Sequence, residues 1–309
     1  MQSVTSTTAP SGQQFELRSG PFASTIVEVG GGLRSFTVDG RDILDGYPVD
    51  EIAPAGAGQV LAPWPNRIRD GHYHFNGEEH QLALSEAPLH NAIHGLVRWL
   101  PWHATATSAD SVTVECTLPA QGGYPWTLRL STTWSLGADG LTASHRATNL
   151  SASPAPFGLG VHPYFVLPGT PIEQVVIGVP GRNRLLVDGR LLPIGAAKVA
   201  GGEYDFTTPR RLGDQDLDTA FGDLPGGAST VTLSTVDGAS RIEVWADEQF
   251  HWWQLFTSQT LPPPRFRRAI AVEPMTCPPD AFHSGRDLVT LQPGDTWSGT
   301  WGVRPRLAA

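Results

Sequence analysis

Glycine and proline recur along the whole chain, and this constrains the fold more than any other feature. The 309 residues include 34 glycines and 27 prolines. Glycine interrupts regular structure through its conformational freedom, and proline does so through its missing N–H donor. No segment sustains an apolar period of 3.6 residues over three helical turns. The chain is therefore predicted to form short strands joined by turns, with few helices.

Short segments that alternate apolar and polar residues indicate antiparallel strands. The clearest pair, residues 72–75 and 78–82, flanks Asn76-Gly77, a dipeptide that accepts the positive φ of a two-residue turn. Such alternation places one face of a strand on a core and the other toward solvent or a second sheet. Together the segments predict a mostly antiparallel β protein built of packed sheets. The other alternating segments are residues 35–38, 112–118, 128–134 and 242–245.

No internal repeat or low-complexity linker divides the chain. The glycine-rich residues 195–202 and 226–227 are predicted to be surface loops, and composition does not change across either. Residues 1–13 are rich in Ser, Thr and Gln and are predicted to be flexible. We expect residues 14–309 to form one domain.

Charge, hydropathy and cysteine content exclude several classes of protein. The formal net charge is −9, and no basic stripe of the kind that binds nucleic acid is present. No apolar run is long enough to span a bilayer, and the N-terminus lacks the basic and apolar regions of a signal peptide. Cys116 and Cys277 are too few for a disulfide framework. These features predict a cytoplasmic protein that binds neither nucleic acid nor membrane.

One carboxylate and two imidazoles stand in distinctive surroundings. Glu273 follows the apolar residues 269–272, which we interpret as a buried strand with the carboxylate at its end, so its pKa is expected to be raised. His162 precedes a proline that restrains its backbone, and His94 precedes a glycine that permits close approach. Such groups can exchange protons near neutral pH without a metal or a cofactor. The structural alternatives are an ion pair at the strand end and packed or exposed histidines.

A second set of candidates has the character of a ligand-binding surface. Trp64 lies between two prolines, and Asn66 and Arg67 follow directly, so a stiff loop presents an aromatic plane and fixed N–H donors. This combination suits a polyhydroxylated ligand. Alternatively, Arg67 pairs with a structural carboxylate and Trp64 belongs to the core. Asp218 lies in a short acidic segment that is equally compatible with a solvated turn.

Other chemistries find no support in the sequence. Nucleophile-elbow, phosphate-loop and dinucleotide-binding motifs are missing, and Cys277 is interpreted as packing. His72 and His74 share one strand face, but no third ligand is evident. We therefore predict neither a metal site nor a cofactor.

Several blocks of sequence, in a fixed order, resemble the aldose 1-epimerase (galactose mutarotase) family. The similarity extends over residues 31–305. Each block alone is modest evidence, but their shared order argues against chance. The blocks are Pro65-Asn66-Arg67-Ile68 with Arg69-Asp70-Gly71, Tyr73-x-Phe75-x-Gly77 with Gln81-Leu82, Asn91-Ala92-Ile93-His94-Gly95, Gly123-Tyr124-Pro125, His162-Pro163-Tyr164-Phe165 and Glu273-Pro274.

The resemblance implies an all-β fold, a large antiparallel β-supersandwich with a sugar on its concave face. It implies an isomerase that interconverts the α and β anomers of a free hexose such as galactose or glucose. We expect the protein to be a monomer or a homodimer. By the same resemblance, Glu273 is the general base that acts on the anomeric hydroxyl, and His162 is the general acid that protonates the ring oxygen. The substrate-binding residues implied are Asn66, Arg67, His94 and Asp218. Candidates for apolar contact with the sugar, each also explicable as packing, are Trp64, Tyr164, Phe165 and Trp253.

Departures from the family pattern fall around the expected pocket and leave the sugar open. Trp64-Pro65 replaces a small residue, Leu96 replaces a second glycine, and Met275 replaces a common glutamine.

One alternative is a charged sugar, a hexose 6-phosphate or a sulfonated sugar, which would need an additional cation such as Arg69, Arg98 or Arg182. Another is a sugar-binding protein without activity. Retention of both Glu273 and His162 argues against that alternative, because binding alone does not need an acid and a base.

Overall fold

Regular structure in the chain is almost entirely β. The computed structural model describes residues 8–308. Its first strands are β1 (Gln14–Ser19), β2 (Phe22–Val27), β3 (Leu33–Val38), β4 (Arg41–Asp42), β5 (Val60–Leu61), β6 (Arg67–Arg69), β7 (His72–Phe75), β8 (Glu78–Gln81), β9 (Asn91–Ile93), β10 (His103–Thr107), β11 (Ser111–Leu118), β12 (Leu128–Gly137) and β13 (Gly140–Asn149).

The second half of the chain continues the same pattern of short strands. These strands are β14 (Ala155–Phe157), β15 (Gly160–Val161), β16 (Tyr164–Phe165), β17 (Val176–Gly178), β18 (Asn183–Val187), β19 (Pro193–Lys198), β20 (Arg210–Arg211), β21 (Asp218–Gly222), β22 (Ser229–Ser234), β23 (Arg241–Ala246), β24 (Trp252–Phe256), β25 (Ile270–Met275), β26 (Val289–Leu291) and β27 (Thr296–Arg306). Helical structure is confined to α1 (Ala281–Ser284) and three 3-10 turns at Pro54–Gly56, Ala87–Leu89 and Ile172–Gln174, within the residues described.

Two large antiparallel sheets dominate the fold. The nine-stranded sheet has the order β10-β11-β12-β13-β27-β23-β22-β17-β20. The eight-stranded sheet has the order β19-β18-β21-β24-β25-β15-β5, and β16 also pairs with β25. Smaller sheets comprise β1-β2-β3-β4 and the pairs β6-β9, β7-β8 and β14-β26. The prediction of an antiparallel all-β protein with few short helices is confirmed.

Strand β12 shows how alternation in the sequence becomes a buried face. Every second residue of this strand is buried, four of these five residues are apolar, and the residues between them are more exposed. Trp134 on the buried face packs edge-on against Trp301 of β27, with ring centroids 5.9 Å apart. Its indole N–H donates to the carbonyl of Gly31 at 3.0 Å, which satisfies the one polar atom of that side chain.

One contiguous group of buried apolar side chains includes residues from Phe15 to Val303 and both large sheets. A core that joins the start of the chain to its end supports our proposal that residues 14–309 form a single domain. Within residues 8–308, no helix is long and apolar enough to cross a membrane.

Three segments that the sequence predicts to be irregular can be compared with the structure. Residues 1–7 of the N-terminal segment lie outside the described part, whereas Ser11 is buried and its carbonyl accepts the N–H of Val29 at 3.0 Å. The prediction of a loop at residues 195–202 is wrong for its first half, because β19 pairs with β18 at the sheet edge. Strand β19 lies at the edge of the sheet, and its residues are small and largely exposed. The sequence of this segment therefore shows no alternation of apolar and polar residues that would indicate a strand. Residues 226–227 lie in an exposed loop, as predicted.

Candidate active site

A cavity of about 670 Å³ opens beside the eight-stranded sheet. All six residues selected from the sequence line it, although the chain separates them widely. They are Asn66, Arg67, His94, His162, Asp218 and Glu273. The polar groups therefore converge on one concave site, which is the usual form of a small-molecule site.

Three neighbouring strands present polar side chains to the cavity from one sheet face. Gln254 of β24 lies opposite Glu273 of β25 and opposite Ala220 of β21. Asp218 is two residues before Ala220 and therefore shares its face. The expectation that Glu273 ends its strand is wrong, because β25 continues to Met275. Glu273 is the fourth of the six residues of β25, and its register partner is Gln254 of β24.

Glu273 is buried, with 2% of its surface exposed. Its Oε1 lies 3.4 Å from Nε2 of His162, and its Oε2 has no hydrogen-bond partner among the described residues. Burial raises the pKa of Glu273 well above its usual value; the charge of Asp218 adds to this effect and Arg67 opposes it. The raised pKa agrees with the expectation from the sequence and suits a group that exchanges protons near neutrality.

His162 follows β15 and is held by its backbone. Its N–H donates to Gln59 O at 3.2 Å, and its carbonyl accepts from Gly58 N–H at 2.9 Å. The imidazole stacks on Tyr164, with centroids 4.7 Å apart and planes inclined by 17°. Burial lowers the pKa of His162 to about 3, and the positive charges of Arg98 and Arg67 act in the same direction.

Burial therefore acts on both members of the His162–Glu273 pair in a way that favours their uncharged forms. The facing atoms of the two groups, Nε2 of His162 and Oε1 of Glu273, lie 3.4 Å apart. A dry environment disfavours the carboxylate–imidazolium ion pair relative to a carboxylic acid beside a neutral imidazole. Such a pair can accept a proton at one atom and supply one at the other.

His94 and Asn66 hold each other through two hydrogen bonds. The backbone N–H of Asn66 donates to Nδ1 of His94 at 3.2 Å, and the backbone N–H of His94 donates to the carbonyl of Asn66 at 2.8 Å. Burial, followed by the charges of neighbouring basic groups, keeps the pKa of His94 well below its usual value. The neutral ring accepts at Nδ1 and so carries its proton on Nε2, where it can donate to a ligand.

The loop at His94 also requires a glycine next to it. Gly95 has φ of +69°, and an added Cβ would lie 2.1 Å from the backbone oxygen of Ala62. A side chain at this position would force the two segments apart and shift His94. This close approach is the role that the sequence suggested for the glycine.

Arg67 both pairs with a carboxylate and lines the cavity, so the two interpretations from the sequence are compatible. Its Nε and Nη2 donate to the two carboxylate oxygens of Glu86, each at 2.9 Å. This two-bond contact fixes the plane of the guanidinium. Glu86 was not selected from the sequence, because nothing in its surroundings distinguishes it from a surface glutamate.

Asp218 is not a solvated turn residue. It begins β21, and Nε2 of Gln254 donates to its Oδ1 at 2.6 Å. Burial raises the pKa of Asp218, and Arg67 opposes this effect. Gln254 also lines the cavity and was missed. A buried glutamine within the otherwise apolar strand β24 was the available signal.

Of the four aromatic residues considered as sugar contacts, Tyr164 lines the cavity. The other three, Trp64, Phe165 and Trp253, belong to the buried core. Trp64 packs edge-on against Phe282 with centroids 5.6 Å apart, which agrees with the packing interpretation.

The three candidate cations also differ in position. Arg98 lines the cavity, whereas Arg69 and Arg182 are not among its lining residues. Arg69 instead lies 3.5 Å from the carboxylate of Asp280.

A separate group of potential metal ligands lies outside this cavity, on the hairpin of β7 and β8. Glu79 lies opposite His74 in the strand register, and ligand atoms of His72, His74 and Glu79 fall within 4.8 Å of one another. Glu79 is thus the third candidate ligand that was not evident in the sequence.

Comparison with known proteins identifies the family. The aldose 1-epimerase family model matches residues 13–304. The uncharacterized protein YihR of Escherichia coli K12 is 33% identical over 285 residues, which are 92% of this chain and 90% of YihR. Human galactose mutarotase is 30% identical over 163 residues, covering 50% of this chain and 46% of that protein.

Solved structures show the same fold. The aldose epimerase homologue from C. elegans superposes with a TM-score of 0.86 at 19% identity, covering 96% of this chain and 99% of that one. The galactose 1-epimerase from Lactobacillus acidophilus gives a TM-score of 0.80 at 21% identity, covering 94% and 93%. These likenesses confirm the predicted β-supersandwich. The chain belongs to the aldose 1-epimerase family of isomerases.

Proposed function

We propose that this protein interconverts the α and β anomers of a free hexose, such as galactose or glucose, by opening and reclosing the pyranose ring. Family membership supports the reaction class. The single observation that carries the proposal is the contact of 3.4 Å between Glu273 and His162 inside a cavity large enough for a sugar. Both side chains are buried, which distinguishes this contact from an ordinary ion pair on the protein surface.

The reaction needs a proton removed from one oxygen and a proton added to another. In the proposed mechanism, Glu273 takes the proton of the anomeric hydroxyl while His162 gives a proton to the ring oxygen. The bond between C1 and the ring oxygen breaks, and C1 becomes an aldehyde. Rotation about the C1–C2 bond and closure on the other face, with both transfers reversed, gives the other anomer and restores the protein.

The short distance between acid and base suits this reaction. The anomeric hydroxyl and the ring oxygen are bonded to the same carbon, so two groups in mutual contact can each reach one of them. Ring opening starts from the carboxylate–imidazolium form of the pair, the less populated form in the buried site, and converts it into a carboxylic acid and a neutral imidazole. Burial favours that uncharged product state, since it raises the pKa of Glu273 and lowers that of His162.

The remaining cavity residues are proposed to bind and orient the sugar. Arg67, fixed by Glu86, and Nε2–H of His94 would donate to sugar oxygens, and Asp218 with Gln254 would bind hydroxyls on the far side. Asn66 contributes by holding His94 in place. Positioned donors and acceptors of this kind keep the anomeric centre against the proton-transfer pair.

Polarimetry with freshly dissolved α-galactose and α-glucose tests the proposal. Wild type should accelerate the change in optical rotation, and Glu273→Gln and His162→Asn should each lose most of that acceleration. The exposed residues Glu78 and His103 provide matched controls, Glu78→Gln and His103→Asn, which should behave as wild type. Absence of acceleration by wild type on any aldose would refute the proposal, and full activity of Glu273→Gln would refute the assigned base.

We also expect the protein to act in the cytoplasm, as a monomer or a homodimer. Cys116 and Cys277 are both buried and unbridged, as thiols usually are in a reducing compartment. Light scattering on the purified protein would determine the assembly.

A further inference from the structure

The outward face of the β7–β8 hairpin brings three potential metal ligands together. Strand β7 carries His72 and His74 two residues apart, so both side chains leave the same face of the strand. Glu79 of β8 lies opposite His74 in the strand register and therefore shares that face. Ligand atoms of the three side chains lie within 4.8 Å of one another, and no second group of three is this compact among residues 8–308.

The hairpin holds the backbone of these residues in one register. Asn76 and Gly77 form its two-residue turn, and both have positive φ, 51° and 83°. On the inner face, Tyr73 is fully buried, and its hydroxyl donates to the carbonyl of Gly123 at 2.7 Å. The ring of Tyr73 packs against that of His80, with centroids 4.9 Å apart. The outer side chains therefore project from an anchored pair of strands, which is the support that a metal site requires.

The carboxylate of Glu79 lies between the two imidazoles. Its Oε2 is 3.9 Å from Nε2 of His72, and its Oε1 is 3.8 Å from Nε2 of His74. Two ligand atoms of a tetrahedral zinc ion are about 3.3 Å apart, because Zn–N and Zn–O bonds are about 2.0–2.2 Å long. The separations in the hairpin exceed this by about half an ångström, a difference that rotation of side chains at the surface can remove.

The ligand atoms of this group are not engaged by other residues of the described chain. Within residues 8–308, none of the three side chains takes part in a hydrogen bond, and Glu79 forms ion-pair contacts with the two histidines alone. By contrast, the side-chain amide of Gln81, on the same face, donates to the carbonyls of Asp70 and Leu82. The exposed His90 likewise contacts the carboxylate of Asp70 at 2.8 Å. The two imidazoles and the carboxylate of Glu79 therefore remain available to an ion.

The donor set selects the class of ion. Imidazole nitrogens suit Zn²⁺, Ni²⁺ and Cu²⁺, whereas Mg²⁺ and Ca²⁺ prefer ligand sets made of oxygen atoms. Three protein ligands with water in the fourth position are a common arrangement around zinc. Water has access to this face, because His74 and Glu79 are exposed.

We infer that His72, His74 and Glu79 form a binding site for one divalent transition-metal ion, and that Zn²⁺ is the ion that the donor set fits best. The ion joins β7 to β8 across the two-stranded sheet. None of the three residues lines the candidate active site, so the metal site is separate from the proposed anomerisation. The sequence predicts no metal site because the third ligand comes from the next strand, beyond the turn.

Calorimetric titration of ZnCl₂ into tag-free protein, freed of metal with a chelator that is then removed, tests this inference. Wild type should bind one Zn²⁺ per chain, and MgCl₂ or CaCl₂ should not compete with it. His72→Asn, His74→Asn and Glu79→Gln should each weaken Zn²⁺ binding by at least about tenfold, since loss of a group that merely orients a ligand already costs about 10- to 100-fold. Thermal melts without metal should show that these surface variants fold as wild type does.

Two substitutions serve as matched controls. Glu78→Gln removes a carboxylate of the same strand, and Glu78 lies on the opposite face from its neighbour Glu79. His103→Asn removes an exposed imidazole that lies 3.9 Å from the carboxylate of Glu28. Both variants should bind Zn²⁺ with the affinity of wild type.

X-ray absorption at the zinc edge identifies the ligands directly. The wild-type spectrum should show two imidazoles and oxygen donors, and the spectrum of His72→Asn should show fewer imidazoles. Wild type without saturable Zn²⁺ binding, binding that any of the three ligand variants leaves unchanged, or a spectrum without two imidazoles would each overturn the inference. None of these measurements uses the anomerisation rate, so they test the metal site independently of the proposed function.

Discussion

Replacing Glu273 by glutamine should abolish activity and, above acidic pH, stabilise the protein. The carboxyl group is buried and its pKa is raised well above 4.5 by that burial. In the unfolded chain the same group ionises near its ordinary pKa. Between the two pKa values the folded state holds a proton that the unfolded state has lost, so stability falls as the pH rises. Glutamine resembles the protonated form and is free of this effect.

The expected size follows from the linkage relation. Each pH unit between the two pKa values contributes about 1.4 kcal/mol to the free energy of unfolding. At a pH two units above the ordinary pKa of the carboxyl, the free energy of unfolding of Glu273→Gln should therefore exceed that of wild type by up to about 2.7 kcal/mol. For a chain of this length, that corresponds to a rise in Tm of about 5 °C. The loss of the base should reduce kcat by about 10²- to 10⁴-fold.

Thermal melts of wild type and Glu273→Gln at a series of pH values, with anomerisation rates from the same samples, measure both effects. The difference in Tm should be smallest near the ordinary pKa of the carboxyl and should grow with pH. A difference that does not change with pH would show that burial does not raise the pKa of Glu273. A variant with unchanged activity would show that this carboxylate is not the base.

Three further substitutions probe other parts of the site and the core. Glu86→Gln should raise KM by about tenfold with a smaller effect on kcat, because it weakens the contact that fixes the guanidinium of Arg67. Steady-state kinetics would measure both constants, and an unchanged KM would contradict the prediction. Gly95→Ala should lower the free energy of unfolding by more than about 1 kcal/mol, because its Cβ would meet the backbone of Ala62; a denaturant melt equal to that of wild type would argue against this strain. Burial lowers the pKa of His145 from 6.5 to about 3, so the folded wild-type protein loses the stabilising contribution of the neutral His145 side chain as the pH falls from 6.5 toward 3. The destabilisation caused by His145→Gln, measured by thermal melts, should therefore decrease over the same pH range. A destabilisation that does not change with pH would exclude a lowered pKa.

The strands were the part of the fold most accessible from the sequence. Segments such as residues 128–134 have one face on the core, and period-two alternation records that directly. The edge strand β19 was missed because both its faces are largely exposed and its side chains are small. The position of Glu273 was misjudged for a related reason: β25 is buried throughout, and a continuous apolar run does not show where a strand ends.

The site was predictable only where a residue belonged to a distinctive local block. His162 and Glu273 stand in such blocks, and the cavity contains both. Glu86 and Gln254 have no local signature, because their roles depend on strand register and on contacts between distant segments. The position of Arg98 depends in the same way on tertiary structure, since two other arginines were equally suitable by sequence.

The central claim is that Glu273 and His162 act as one proton-transfer unit. The most direct test compares the anomerisation rates of Glu273→Gln, His162→Asn and the double variant on the substrate that wild type turns over fastest. Groups that act as a unit give strongly non-additive losses. The double variant should retain about the same residual rate as each single variant. A loss in the double variant equal to the product of the two single losses, or a single variant with the wild-type rate, would contradict the claim.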